Sequence, residues 1–191
     1  MVKSSVLRDE LFIVLIPQGE VMELAQKIQM DISNYYNIYK KGYYPEIHLT
    51  LDRINKEDVE KTVTVIKKML NNFTTPIELV IDEFSCYHLS SDRFLVIKVS
   101  ETKSLVKFSN KLHSQLAKKG ISTIDNYINW DFHITLISNI FAENPISEQD
   151  FKNLCFIFDG IEGSCVSFAE SLEVWRPTLN PQKKCIKSFG L

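Results

Sequence analysis

The run Leu11-Phe12-Ile13-Val14-Leu15-Ile16 is continuously apolar and stops at Pro17, the pattern of a strand buried on both faces. Over residues 20–39 the period changes. Val21, Leu24, Ile28, Ile32 and Tyr35 recur at steps of three and four and predict a helix with one apolar face. Gly42 and Pro45 interrupt the chain before a second strand over residues 47–54. Asn55 then reads as a helix N-cap, with acidic Glu57 and Asp58 in the first turn. Val59, Val63, Ile66 and Leu70 mark that helix's face. Pro76 opens an extended stretch over 77–87. Leu89-Ser90-Ser91-Asp92 predicts a turn, and residues 94–99 return as its hairpin partner.

The second half repeats this plan. Leu105, Phe108, Leu112 and Leu116 stripe a helix that stops near Gly120. Residues 132–140 predict a strand. Ser147, with Glu148 and Asp150 behind it, caps a helix carrying Phe151, Leu154, Cys155 and Phe158. A last strand covers 165–175. The remaining tail carries Arg176, Lys183, Lys184 and Lys187 and no acid. Each half therefore reads strand, helix, strand, helix, strand. That order is an internal duplication, and it predicts two lobes related by a pseudo-two-fold axis with a groove between them.

Composition narrows the function classes. The chain has 191 residues, 45% hydrophobic and 24% charged, with 6 Gly and 6 Pro, an ordinary globular mixture. At this length a core needs no disulfide or metal to hold it. The balance of 22 Lys and Arg against 24 Asp and Glu, net −2, excludes a protein held to nucleic acid by general charge. The cysteines Cys86, Cys155, Cys165 and Cys185 form no C-x-x-C pair and fit no zinc spacing. They are expected to be reduced thiols. The N-terminal residues lack the apolar core of a signal peptide. The longest apolar run is too short to span a membrane. The chain is expected to be a cytoplasmic monomer.

The middle strand of each half carries the same tetrapeptide shape, His48-Leu49-Thr50-Leu51 and His133-Ile134-Thr135-Leu136. In a strand, i and i+2 share a face, so each histidine shares a face with its threonine while the aliphatic residues pack behind. One such run arises by chance in roughly a few per cent of chains this size. Two copies at matching places in a duplicated plan form a constellation. Two histidines without further ligands make a poor metal cage. Neither has the distinct nucleophile and orienting acid of a hydrolase triad. In-line displacement at phosphorus suits them: one neutral imidazole accepts a proton, one imidazolium donates one, and the threonine hydroxyls hold the non-bridging oxygens.

With these residues the sequence resembles the 2H phosphoesterase superfamily, named for paired His-x-Thr/Ser motifs. More closely it is similar to the branch of 2′-5′ RNA ligases and RNA 2′,3′-cyclic phosphodiesterases. The likeness covers nearly the whole chain. It implies an α+β fold of two pseudo-symmetric lobes within one domain over residues 1–191, with two antiparallel sheets lining a central cleft and helices outside. It implies no metal and no cofactor, His48 and His133 as the acid/base pair, and Thr50 and Thr135 as phosphate-holding residues. The expected substrate is RNA or an oligonucleotide ending in a 2′,3′-cyclic phosphate, or a small cyclic nucleotide. Reversible 2′-5′ ligation comes from the same site. Action on 2′-5′ oligoadenylates, and a catalytically silent RNA-binding module, are the competing readings. Some members of the branch carry an arginine shortly after the second motif, where this chain has Ile137-Ser138-Asn139. Arg53, after the first motif, is either a cation for the cleft or a surface arginine.

Further candidates are Tyr43, Tyr44, Tyr127, Trp130 and Phe132, aromatics ahead of the motifs that either stack a nucleobase or anchor the strand entrances. Lys40, Lys41 and the cationic tail either attract RNA phosphates or form a solvated face, and the solvated face is the expectation. His88 and His113 have no partner motif, and His113 is expected to be exposed on its helix.

Overall fold

The computed structural model describes residues 9–40, 43–89 and 92–191. The chain runs β1 (Glu10–Pro17), α1 (Glu20–Tyr36), β2 (Leu49–Asn55), α2 (Val59–Leu70), β3 (Glu78–Leu89), β4 (Asp92–Val99), α3 (Lys103–Ala117), β5 (His133–Ser138), α4 (Glu148–Phe158), β6 (Glu162–Trp175), α5 (Pro181–Lys184) and β7 (Cys185–Gly190). The two halves reproduce the strand and helix order read from the sequence. Gly42 and the middle of the 89–92 turn lie outside the described residues. Among the described residues no helix is long and apolar enough to cross a membrane.

All seven strands form one antiparallel sheet in the order β1-β2-β5-β4-β3-β6-β7, with β1 also pairing β6. The two expected sheets are thus two wings of one sheet, because β6 is long enough to serve both. Its first half pairs β3 from Glu162 to Phe168, and its second half pairs β1 from Ala169 to Trp175. At the other end β2 touches β5 through Leu49 opposite Ile134. The strands bearing the two histidine motifs are therefore the inner edges of the two wings, brought into contact at one point.

The helices seal these wings with apolar faces. Leu105, Phe108, Leu112 and Leu116 of α3 are all fully buried, as their spacing predicts. Ser147 caps α4 by accepting from the Asp150 backbone N–H. The other two faces differ from expectation. On α1 the buried stripe is Val21, Ala25, Gln29, Ile32 and Ser33, while Leu24 is 43% and Tyr35 79% exposed. Gln29 is buried because its amide has work in the interior, donating to the Pro45 carbonyl at 2.9 Å and to the Leu136 carbonyl at 3.0 Å. One side chain so ties the approach to β2 to strand β5. On α2 the buried residues are Thr62, Val65, Ile66 and Met69. A 3₁₀ turn at Lys56–Asp58 precedes the helix and shifts its phase, and Asn55 makes no side-chain cap.

α1 ends at Asn37, in the left-handed region at φ 52°, and the chain turns inward. The Tyr39 hydroxyl donates to the Ser138 carbonyl and accepts from the Ser138 N–H, both at 2.7 Å. The cationic tail holds a further strand that the pattern did not predict, and of its four cations Arg176, Lys183 and Lys187 are exposed as expected while Lys184 is buried. β7 pairs β6 from Ser171 opposite Gly190 to Trp175 opposite Cys185. Two of the thiols expected to be reduced are joined instead: Cys86 on β3 and Cys155 on α4 form a disulfide across a sequence separation of 69. The closed loop restricts the unfolded chain, so Cys86→Ser is expected to cost about 2–4 kcal/mol of stability. Denaturant unfolding with and without reductant checks this: reductant lowers the wild-type midpoint and leaves the variant's unchanged.

Candidate active site

His48 stands immediately before β2, and His133 is the first residue of β5. Each is followed by a fully buried aliphatic residue, Leu49 or Ile134, and these two face each other where the wings meet. Because this contact is antiparallel, it sets His48 opposite Thr135 and Thr50 opposite His133, with the two histidines diagonal to each other across it. Thr50 and Thr135 follow on the same faces. All four line one cleft of about 470 Å³. Leu51 and Leu136 pack behind at zero exposure.

The imidazoles are oriented alike. His48 Nδ1 lies 2.7 Å from the Glu46 carbonyl oxygen, and His133 Nδ1 lies 3.0 Å from the Asp131 carbonyl oxygen. A carbonyl only accepts, so Nδ1 carries the proton in both rings and Nε2 remains for a ligand. In each case the anchoring residue is an acid two positions before the histidine. The full repeat is acid, apolar, His, apolar, Thr, apolar, and this longer signal was present in the sequence. Of these two acids Asp131 also brings its carboxylate to its histidine, 3.7 Å from His133 Nδ1, while the Glu46 carboxylate pairs with Lys184.

Each histidine also has an aromatic neighbour two strands away. Trp175 of β6 lies across β1 from β2, its ring 4.8 Å from His48. Tyr87 of β3 lies across β4 from β5, its ring edge-on and 5.5 Å from His133. Here the symmetry breaks. Trp175 turns its indole N–H away to Glu173 at 2.6 Å and leaves His48 against an apolar face. Burial, and then the charge of His133, push the His48 imidazole down to about 4. Tyr87 instead donates its hydroxyl to the Asp131 carboxylate, which lies 3.7 Å from His133 Nδ1. The hydrogen bond with His133, ahead of that from Tyr87, holds Asp131 below the usual carboxylate range. An anion thus stands beside His133 and none beside His48's ring.

Trp130 and Tyr44 line the cleft. Trp130 donates its indole N–H to the Thr50 carbonyl at 3.0 Å, and Tyr127 donates its hydroxyl to the Leu51 carbonyl at 3.1 Å. These side chains serve backbone that β2 exposes as it diverges from β5. Tyr44 donates to Asn34 Oδ1 at 2.8 Å. Arg53 lines the cleft but is no surface residue. It is buried, 3.4 Å from Glu10 and 5.8 Å over the Trp130 ring. Phe132 is core, and Tyr43 is exposed outside the cleft lining. Lys40 lies over the Tyr43 ring, and Lys41 falls outside the described residues.

His113, expected to be exposed, is only 17% so. Its Nδ1 is 2.9 Å from the carboxylate of fully buried Asp52, and its ring stacks on Tyr127. His88 packs edge-on against Phe151. The sequence reading passed over Tyr87, Asp131 and Trp175, which line the cleft, and Arg176 and Lys184 of the cationic tail line it too. Among the described residues no group of three or more His, Cys, Asp or Glu could hold a metal ion.

A family model described as the AKAP7 2′5′ RNA ligase-like domain matches residues 11–166 of this chain. Solved structures share its fold from end to end. TT0787 of Thermus thermophilus superposes with a TM-score of 0.64 at 15% identity, covering 95% of this chain and 97% of its own. E. coli LigT complexed with 3′-AMP gives 0.61 at 13% identity, with 96% and 98% covered. Kluyveromyces marxianus Usb1 gives 0.56 at 13% identity, with 98% and 100% covered. No functionally curated protein matches the chain.

Proposed function

The chain belongs to the AKAP7 2′5′ RNA ligase-like family, within the 2H phosphoesterase superfamily of phosphodiesterases, and from that premise we propose that it opens RNA-type 2′,3′-cyclic phosphates to 2′-phosphates without a metal. One observation carries this reading: two imidazoles with free Nε2 atoms face one cleft, each beside a threonine, in unlike electrostatic settings. LigT and Usb1 have been solved with 3′-AMP and with uridine monophosphate. A nucleoside monophosphate is what this reaction leaves behind.

The roles follow from the two settings. His48, neutral against Trp175, accepts a proton from the attacking water. His133, with the Asp131 carboxylate 3.7 Å from its Nδ1, donates a proton to the departing 3′ oxygen. The bond from phosphorus to water oxygen forms as the bond to O3′ breaks, and the phosphate stays on O2′. Thr50 and Thr135 donate to the non-bridging oxygens, where charge sits in the transition state. A 5′-hydroxyl in place of water gives a 2′-5′ linkage by the same proton transfers. The whole chain acts as one domain, each lobe supplying one motif.

The base has to be neutral, so activity is lost only when falling pH protonates His48. The acid-side limb of kcat/KM is expected near pH 4 rather than near the ordinary histidine value of about 6.5. Stability carries the same sign. The unfolded chain binds this proton before the folded one does, so stability rises with pH between about 4 and about 6.5. A pH–rate profile with an acid limb at 6.5 or above contradicts the assignment of His48 as base.

The substrate is tested by turnover of the four nucleoside 2′,3′-cyclic phosphates in EDTA, with 2′- and 3′-monophosphate products separated. Accumulation of the 2′-monophosphate is the expected result. Inert cyclic phosphates with cleavage of 2′-5′ oligoadenylate replace this substrate by the other. Binding of RNA without turnover of either leaves a silent binding module.

A further inference from the structure

Residues 176–191 lie beyond the family match and have no part in the proton transfers above. Yet the chain returns through them to the cleft. The Arg176 N–H donates to the Lys184 carbonyl at 2.9 Å, and Arg176 Nη1 donates to the Lys183 carbonyl at 3.0 Å. Arg176, Thr178, Leu179 and Lys184 all line the cleft wall. Asn180 caps α5 and β7 anchors it to β6, so the segment is held in place from both ends.

Lys184 is the unusual member. Lysine is among the residues least often buried, yet this side chain is only 10% exposed. Its ammonium lies 4.0 Å over the Trp175 ring, the same ring that packs on His48, and it pairs with the Glu46 carboxylate. Glu46 in turn is the residue whose carbonyl holds His48. The other cations in the lining differ: Arg53 is tied to Glu10 behind Trp130, and Arg176 is exposed. The end of β5 brings no cation, since Ile137 is core and Ser138 and Asn139 are uncharged. The lining also holds two carboxylates, Glu46 and Asp131, which repel a phosphate unless a cation answers it.

We infer that Lys184, presented by the C-terminal segment and flanked by Arg176, is the cation that binds the substrate's phosphate, with Glu46 as the counter-ion which that phosphate displaces. This rests on reading the cleft as a phosphodiesterase site. An ammonium carries three donors and no acceptor, so it can exchange a carboxylate for a phosphate oxygen without rebuilding its surroundings. The Glu46 carboxylate is half-exposed and can return to water when displaced.

The test breaks one ion pair from its two ends. Lys184→Met and Glu46→Gln are titrated with adenosine 2′-monophosphate by calorimetry at several salt concentrations, with thermal unfolding of each as a control. Lys184→Met is expected to weaken binding about tenfold or more and to lower the salt slope by about one ion. Lys184→Arg keeps the charge and recovers part of the loss. Glu46→Gln frees the ammonium and tightens binding. If Lys184→Met binds like wild type, or if both variants weaken binding alike in step with stability, the pair is a strut and the inference falls. Wild-type protein that binds no adenosine 2′-monophosphate also overturns it. The two readings fail separately. Opposite-sign changes in the two variants, with a wild type that turns over no cyclic phosphate, keep the subsite and lose the reaction. Turnover with an unchanged KM in Lys184→Met does the reverse.

Discussion

Alanine at either His48 or His133 is expected to lower kcat about 10²- to 10⁴-fold on a nucleoside 2′,3′-cyclic phosphate, with the fold intact. In the proposed reaction each ring supplies a proton transfer that water alone performs poorly. Neither supplies much packing: the burial at each strand head comes from Ile47 and Leu49, and from Phe132 and Ile134. Thermal unfolding close to wild type is therefore the matching control. The two losses are not expected to multiply. Groups that act as a unit lose most of their effect with the first removal, so the double variant falls little below the worse single. Steady-state kinetics of the three variants, corrected for folded fraction, decide this. A single variant that retains a tenth or more of wild-type kcat contradicts the pairing of the two histidines.

The largest expected loss of stability lies outside the cleft, at Asp52. Its carboxylate is fully buried and accepts from the Arg53 N–H at 2.7 Å, from Ser122 Oγ at 2.7 Å and from His113 Nδ1 at 2.9 Å. These bonds join β2 to α3 and to the loop after it. Asp52→Ala leaves three donors without their acceptor in a dry interior, each worth about 1–3 kcal/mol when unmet. Partial rearrangement offsets some of this, and a net loss of about 3–5 kcal/mol is expected. Denaturant unfolding checks it, read from the midpoint at an unchanged slope. A loss below about 1 kcal/mol would show that water or a rotated His113 replaces the carboxylate. His48 and His133 do not touch this network, so kcat at a temperature where the variant is folded is expected to stay near wild type.

The parts legible in the sequence are those where one local pattern decides. α3 packs one apolar stripe against the sheet, so its spacing and its buried residues agree. The two histidine motifs were visible because the duplication repeats them. α1 and α2 were out of phase because buried polar residues, Gln29 and Thr62, occupy positions that a hydrophobic stripe does not count. β7 was missed because it is short and half-exposed, and only the register with β6 makes it a strand. Tyr87 and Trp175 reach the histidines from strands two places away, a neighbourhood created by sheet order and invisible to spacing along the chain. The Cys86–Cys155 bond is of the same kind, since it depends on where α4 crosses β3. Glu46 and Asp131 were within reach. Comparing the two motifs two residues further upstream would have found them.

The central claim is that one phosphate is served by both lobes at once. The structure of the complex with adenosine 2′-monophosphate tests it most directly. The phosphate is expected in the cleft, with Nε2 of both His48 and His133 and the hydroxyls of both Thr50 and Thr135 within hydrogen-bond reach of its oxygens. A phosphate bound to one motif alone, with the other histidine out of reach, would contradict it.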